Sequence, residues 1–408
     1  MHRSVDLWRR SGCAWLTGRP DGEPNDGGHR AAAYAHNVAT EIADSSETLG
    51  CHVELDGPSI LAERSVHTRF QRGANVSCNR TTRLLACLDD HVSVTIARDD
   101  DRDLLAASFE AKLAATDDVW EFAKIQCAHR NAEEVRDRAT LFGLSVAILG
   151  EASESHPARA IEYPGVGRRR EQPVVVDLSS LWAGPLAANI LGLAGARVVK
   201  VESKDRLDGA RFGSRSFYDL LHGGHESVAL CFTTQRAELR TLIANADVVI
   251  TSARPRAFEQ LGIVAEELMA ENEITAWLAI TAFGPRDRNR IGFGDDTAIA
   301  AGLCAFDQDG PMFAADAIAD PLTGLVAASH ALQALVSGQR ALYDLNLVDV
   351  ASTAAASVTG CDTDTSDTTD TTSADARRRH HTAAALPHSR PVVSGAPTPG
   401  AHNERWLP

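Results

Sequence analysis

Paired cysteines, long apolar runs and excess positive charge are all missing from this sequence, and each absence removes a class of protein. Eight cysteines are scattered without a C-x-x-C pair, which excludes a zinc ribbon and gives no disulfide framework; they read as reduced core residues. No metal site is expected. No run approaches the roughly 18 apolar residues of a membrane span, and the opening "MHRSVDLWRRSGCAW" lacks an uninterrupted apolar core, so a cytoplasmic chain with no membrane partner is expected. The formal net charge of -15 argues against non-specific binding to nucleic acid, and any anionic ligand must be held by a local cluster of positive groups. What is present, 408 residues with 44% hydrophobic content, suffices for a large core and more than one domain.

Along the chain, residues 1–155 read as a smaller mixed α/β unit. Its clearest strand is "HVSVTIA" (91–97), followed by the helical "DRDLLAASFEAKLAA", then the helix "NAEEVRDRATLFGL" and the strand "SVAILG". Prolines, glycines and an arginine run mark 156–173 as a linker. From 174 to 354 short buried strands ("VVVDLS", "ARVVKVES", "ADVVIT", "AWLAIT") alternate with helices, the pattern of a Rossmann-like parallel sheet with right-handed crossovers. Residues 355–390 hold a Thr/Asp-rich stretch with little to bury and are expected to be disordered. The tail, 391–408, regains an apolar anchor in Trp406 and Leu407.

Two features suggest chemistry. In "DPLTGLVAASHALQAL" an acid and a proline precede a long helical run, so Asp320 is read as an N-cap with Pro321 in the first turn. A carboxylate there is also favoured in its ionised form by the helix dipole, and is then available as a nucleophile. The second feature is the strand–turn–helix–strand "VVVDLSSLWAGPLAANILGLAGARVVKVES", which has the form of a dinucleotide-binding unit but no G-x-G-x-x-G cradle. Lys200, Glu202, Arg211 and Arg254 fall at or beyond its strand ends, where positive groups would meet a phosphorylated ligand.

Taken in order, that unit, "ADVVITSARPRAFEQLGI", "FGDDTAIAAGL" and "DPLTGLVAASHALQAL" resemble the successive motifs of class III CoA-transferases, the family of formyl-CoA transferase, carnitine CoA-transferase and 2-methylacyl-CoA racemase. The resemblance implies coenzyme A as part of an acyl-CoA substrate, a carboxylic acid acceptor, and a homodimer. It places the catalytic aspartate on Asp320 and the CoA contacts on Trp182, Lys200, Glu202, Arg211, His225 and Arg254. Two departures stand out. The histidine used by the racemase branch is replaced by Asp295, and in "DLLHGGHESVAL" His222 and His225 stand where the family carries a phosphate-binding lysine. The smaller-domain-like part also comes first, as in a rearranged chain. Three functions remain open: CoA transfer through an aspartyl-CoA thioester, racemisation or epimerisation of an acyl-CoA, and a degenerate protein that only binds CoA esters.

Overall fold

The computed structural model describes residues 2–154, 156, 158–288, 290–357 and 382–407. Its strands in chain order are β1 (Thr82–Ala86), β2 (His91–Thr95), β3 (Ser145–Ile148), β4 (Arg159–Val166), β5 (Val174–Leu178), β6 (Arg197–Ser203), β7 (Glu226–Leu230), β8 (Val248–Thr251), β9 (Ala276–Thr281), β10 (Cys304–Asp307), β11 (Gly310–Phe313) and β12 (Gln339–Asn346). Seven of them form one sheet in the order β4-β12-β9-β8-β5-β6-β7. Every neighbouring pair from β12 to β7 is parallel, and only the edge pair β12–β4 is antiparallel. From β5 the chain steps outward through β6 and β7, then returns to the other side of β5 and steps out through β8, β9 and β12. The strand order therefore reverses between β5 and β8, which is the Rossmann-like arrangement, and a ligand crevice opens beyond their carboxyl ends.

Both faces of the sheet are covered, and for that reason its strands read as continuous apolar runs. Successive residues serve opposite cores: Val175, Val248, Ile250 and Leu278 pack on the side of the Ala183–Leu193 and Ala319–Ser337 helices. Val176, Val199, Val249 and Trp277 pack on the side of Arg236–Ala244 and Ala265–Glu271. The strands and parallel pairing expected for 174–354 are present.

The expected division at residue 155 needs correction on two points. Only β1, β2 and β3, an antiparallel sheet backed by the helices Asp101–Ser108, Val119–Ala128 and Ala132–Leu141, has a core of its own. The helix His29–Thr48 turns Ala31, Ala32, Ala35, Val38 and Ile42 into the core of the large sheet. Its apolar positions recur at helical spacing, and only the large sheet layer offers them a partner. The segment 156–173, expected as a linker, contains β4, whose Tyr163 pairs with Arg340 and Ile161 with Leu342. Exposure of most of its side chains hid an edge strand from a reading based on hydrophobic pattern.

Residues 358–381, most of the stretch expected to be disordered, lie outside the described residues. Those that follow are not loose. Ala385 N–H donates to Arg9 O (2.8 Å), Arg215 donates to Ala396 O (2.8 Å), and Asn403 bonds both Ala229 N–H (2.9 Å) and Ala229 O (3.0 Å) on the edge strand β7. This C-terminal strap covers the free edge of β7, and edges left unpaired are where sheets associate.

A close helix contact positions the site. Gly324 packs against the start of Ala183–Leu193 so tightly that a Cβ there would stand 2.7 Å from Ala183 O and 2.9 Å from Leu186 Cδ2. Asp320 and Gly324 are one turn apart and share a helix face, so this contact also sets the depth of Asp320. Gly324→Val is expected to destabilise the protein by about 1–3 kcal/mol through overpacking. A thermal melt checks this, and an unchanged melting temperature would show that the two helices can separate freely.

Candidate active site

The loop before the Ala319–Ser337 helix is bent by two left-handed residues that are not glycine, Ala315 (φ 54°) and Ala317 (φ 44°). Each such residue costs about 1–2 kcal/mol, and conformations of this kind persist where the surroundings over-determine them. Here the surroundings are polar anchors: Ala315 N–H donates to Thr17 Oγ1 (2.9 Å), and Ala317 N–H to Asp295 Oδ1 (3.0 Å). Between them Asp316, fully buried, receives both arms of the Arg64 guanidinium at 2.7 and 2.6 Å. The guanidinium also lies 4.7 Å above the Trp182 ring and 5.5 Å from that of Phe70.

Asp320 is not the cap of its helix. The N-cap position is Ile318, no side chain caps the first turn, and Pro321 is the third helical residue. With Ala319 already helical, the Asp320 side chain points away from the first-turn amides and towards the start of the next helix in space, Gly294–Ala300. Gly294 makes that approach possible: a Cβ there would fall 2.5 Å from Asp320 Oδ2 and 2.3 Å from Ala317 O. The Gly294 N–H bonds the carboxylate instead.

Three carboxyl groups, Asp316, Asp295 and Asp320, thus gather around the Arg64 guanidinium, with Asp296, which answers to Arg290, alongside. Asp320 keeps a partly exposed edge, yet the protein strips most of the water from its carboxyl and pushes it up to about 7; Asp296 and Asp316 add to the rise, while Arg64 and the Gly294 N–H oppose it. Burial and the Asp316 charge push Asp295 up to about 8 against the pull of Arg64. Asp296 is pushed up to about 6 by burial, restrained by the Ser145 hydroxyl (2.5 Å) and the Phe293 N–H (2.8 Å). The expectation that the helix dipole and first-turn amides favour an ionised Asp320 meets a stronger opposing influence: desolvation is the larger effect, and Arg64 is the main counterweight.

Among the other sequence-predicted residues, Trp182 joins the site, with its ring beneath Arg64 and edge-on to Phe217 at 5.4 Å. Lys200 does not. It sits in the middle of β6, almost fully buried, with its Nζ on Ser179 O (2.5 Å), Asp208 (3.1 Å) and Asp177 (3.4 Å). Burial opposes its charge, but the two carboxylates outweigh burial and keep it an ammonium. Glu202 and Arg211 are spent on each other, Arg211 Nε lying 2.9 and 3.1 Å from the two carboxylate oxygens, and Arg211 also donates to Pro397 O (3.1 Å). His225 is buried against His222, ring centroids 5.6 Å apart, and burial with the Lys200 charge lowers it to about 3. Arg254 is exposed at the switch point, just after β8. Beside it, a narrow cleft of about 90 Å³ is lined by Thr251, Phe258, Trp277, Thr281, Arg288 and Asp344 at the carboxyl ends of β8, β9 and β12. A larger cleft, about 390 Å³, lies at the amino ends of β6 and β7 beside Arg197, His225 and Glu226, away from the aspartates.

Arg64, Asp316 and Gly294 were not singled out from sequence. Asp316 and Gly294 stand within or beside the motif stretches and Asp316 lies one helical turn ahead of Asp320, whereas nothing local marks Arg64. Among the described residues no cluster of three or more metal-ligating side chains is found, and no helix is long and apolar enough to cross a membrane.

The raised carboxyls imply a pH-dependent penalty. Between about pH 4 and 8 folded Asp295 retains a proton that the unfolded chain has released, so its contribution to stability falls as pH rises through that window. Asp295→Asn keeps the acceptor for Ala317 N–H and removes the ionisation. Its melting temperature is expected to exceed the parent's at pH 8, with the gap closing towards pH 4; a gap that widens on acidification would contradict the assignment.

A model of CoA-transferase family III matches residues 171–389, more than half of the chain. The chain is 31% identical over 203 residues to a succinate–glutarate CoA-transferase of Agrobacterium fabrum, covering 44% of this chain and 50% of that protein. It is 29% identical over 180 residues to a succinyl-CoA–D-citramalate CoA-transferase of Chloroflexus aurantiacus, covering 41% and 45%. A crystal structure of a CaiB/BaiF family protein from Brucella suis aligns with a TM-score of 0.41 at 28% identity, over 44% of this chain and 53% of that one. The chain spans about half the length of the curated relatives it matches. With the family match spanning β5 to β12 and including Gly294 and the Asp320 helix, the chain belongs to CoA-transferase family III.

Proposed function

We propose that the protein is an acyl-CoA:carboxylic acid CoA-transferase with Asp320 as its nucleophile. The observation that carries this reading is the Asp320 carboxylate, held on the Gly294 N–H with a partly open edge and a nearby cation, inside the segment matched by the family. In the first step the ionised carboxylate attacks the thioester carbonyl, the C–S bond breaks, and an acyl–aspartyl anhydride and CoA thiolate form. The thiolate then attacks the aspartyl carbonyl, releasing the donor acid and leaving an aspartyl-CoA thioester. The acceptor carboxylate repeats the sequence in reverse and restores Asp320. Arg64 serves this cycle by pairing with Asp316 and by offsetting the opposition that Asp296 and Asp316 present to the ionised form of Asp320.

The fit to coenzyme A is partial. Lys200 and Arg211 are engaged within the protein, so the phosphates would fall to exposed cations beyond the carboxyl ends of β6 and β8, namely Lys204, Arg206 and Arg254. A homodimer is part of the same reading, supported by the exposed apolar side chains Leu141, Phe212 and Val393. Light scattering over a hundredfold dilution is expected to give about twice the 43.6 kDa chain mass; the chain mass at every concentration would remove the dimer.

Asp320→Asn is expected to abolish CoA exchange while the fold is retained, because the amide cannot form the anhydride. In the parent, hydroxylamine added with an acyl-CoA donor should leave a hydroxamate on Asp320, and kcat/KM should fall as pH drops through about 7, where the nucleophile takes up its proton. Turnover retained in the variant would exclude Asp320. Solvent deuterium entering the α-carbon of an acyl-CoA, without CoA transfer, would move the assignment to a racemase working through Asp320 and Asp295.

A further inference from the structure

Next to Arg64 in the short helix Glu63–Thr68 stands Glu63, whose side chain is only 1% exposed. An isolated carboxylate at that depth is costly and would compete with the aspartates for the neighbouring guanidinium. Its cation comes from the far end of the chain. Arg390, in the C-terminal strap, places Nε 2.9 Å and Nη2 2.8 Å from the two Glu63 oxygens, and its Nη1 donates to Asn189 Oδ1 (2.7 Å). Asn189 lies on the Ala183–Leu193 helix, the one that packs against Gly324. The strap is fixed on both sides of Arg390. Upstream, Ser389 Oγ bonds His67 Nε2 (2.8 Å); downstream, Ala396 N–H donates to Asp219 (2.8 Å).

We propose that Arg390 is a positioning residue for Asp320, engaging Glu63 so that the neighbouring Arg64 guanidinium is left to the aspartate cluster. This rests on Asp320 being the reacting carboxylate. Two adjacent residues of one helix face different partners: Glu63 looks to the strap, Arg64 to Asp316, Asp295 and Asp320. With Arg390 present, Glu63 is neutralised by a two-pronged contact that Arg geometry suits. With it removed, an unpaired anion adjoins Arg64 and offsets its field at the cluster. The groups that bear on Asp320 are Arg64 from one side, Asp316 from its own loop and Asp296 from the Gly294–Ala300 helix; Asp295 and the Cys78 thiol face Asp316. Around Glu63 stand Arg390 and His67, the latter held below its ordinary value by burial. Arg390 touches no reacting atom, and its influence passes through Glu63 and Arg64.

The test reads the Asp320 carboxyl directly in the full chain, by carbon-13 NMR of protein labelled at the aspartate side-chain carboxyl, with the Asp320 signal assigned by its loss in Asp320→Asn. Arg390→Met is expected to move the titration midpoint of Asp320 upward by about one pH unit. Arg390→Lys, which keeps the charge, should leave it near the parent value, and Glu63→Gln combined with Arg390→Met should return it there. A folded Arg390→Met protein with an unmoved midpoint overturns the proposal. If that variant does not fold, Glu63→Gln alone decides: removal of the anion should lower the Asp320 midpoint, and an unchanged midpoint overturns the proposal equally. CoA exchange measured on the same proteins separates the two claims, since a parent without turnover sinks the transferase reading and leaves the titration result standing.

Discussion

One guanidinium shared among buried carboxylates is the interaction on which the site depends. Arg64 is the cation within reach of Asp316, Asp295 and Asp320 together, and the left-handed turns at Ala315 and Ala317 hold Asp316 where both arms of the fork reach it. Opening a buried pair of this kind on one side costs about 3–5 kcal/mol, because the surviving charge has neither water nor partner. That scale is comparable with the about 2–4 kcal/mol of strain in the two turns together, so the ion pair can hold the loop in a conformation it would otherwise leave. Gly294 and Gly324 complete the arrangement by letting a backbone amide and a neighbouring helix come close to Asp320.

Buried charge serves two distinct ends in this molecule. Lys200 with Asp177 and Asp208, and Arg211 with Glu202, are buried sets in which each cation stays on the protein's own carboxylates and the turn after β5 is tied to β6. They fix the geometry around the switch point, with Lys200 shared between two carboxylates and Arg211 matched by one. The aspartate cluster differs: burial pushes Asp295, Asp296 and Asp320 up towards neutral pH. Perturbed groups of this second kind mark functional sites more often than the first.

Much of the sheet domain was legible because parallel strands covered on both faces leave continuous β-branched runs, as in "VVVDLS" and "ADVVIT". The Asp320 motif was legible through its order and spacing among other motifs. What could not be read was anything set by distant pairing. Lys200 looked like a ligand-facing cation because a strand residue's side chain gives no sign of which face or neighbour it meets, and its partners Asp177 and Asp208 lie 23 residues upstream and eight downstream. Arg64 stands in an unremarkable polar stretch, and its role exists only because Asp316 arrives beside it. The N-cap expectation for Asp320 failed by two positions: the helix starts at Ala319 rather than Pro321, and that small shift turns the carboxyl from its own first-turn amides towards Gly294.

The pairing of Arg64 with Asp316 joins positions 252 apart in the chain, and that of Glu63 with Arg390 joins positions 327 apart. A ribosome adding about 5–20 residues per second needs on the order of 10–50 seconds to deliver Asp316 after Arg64. Through that interval the helix His29–Thr48 has no Ala319–Ser337 helix to cover its alanine face, and Arg64 has no acid to meet. The His29–Thr48 helix is therefore completed only after residues far downstream arrive, and until then the nascent chain carries a long-lived apolar surface of the sort that chaperones bind.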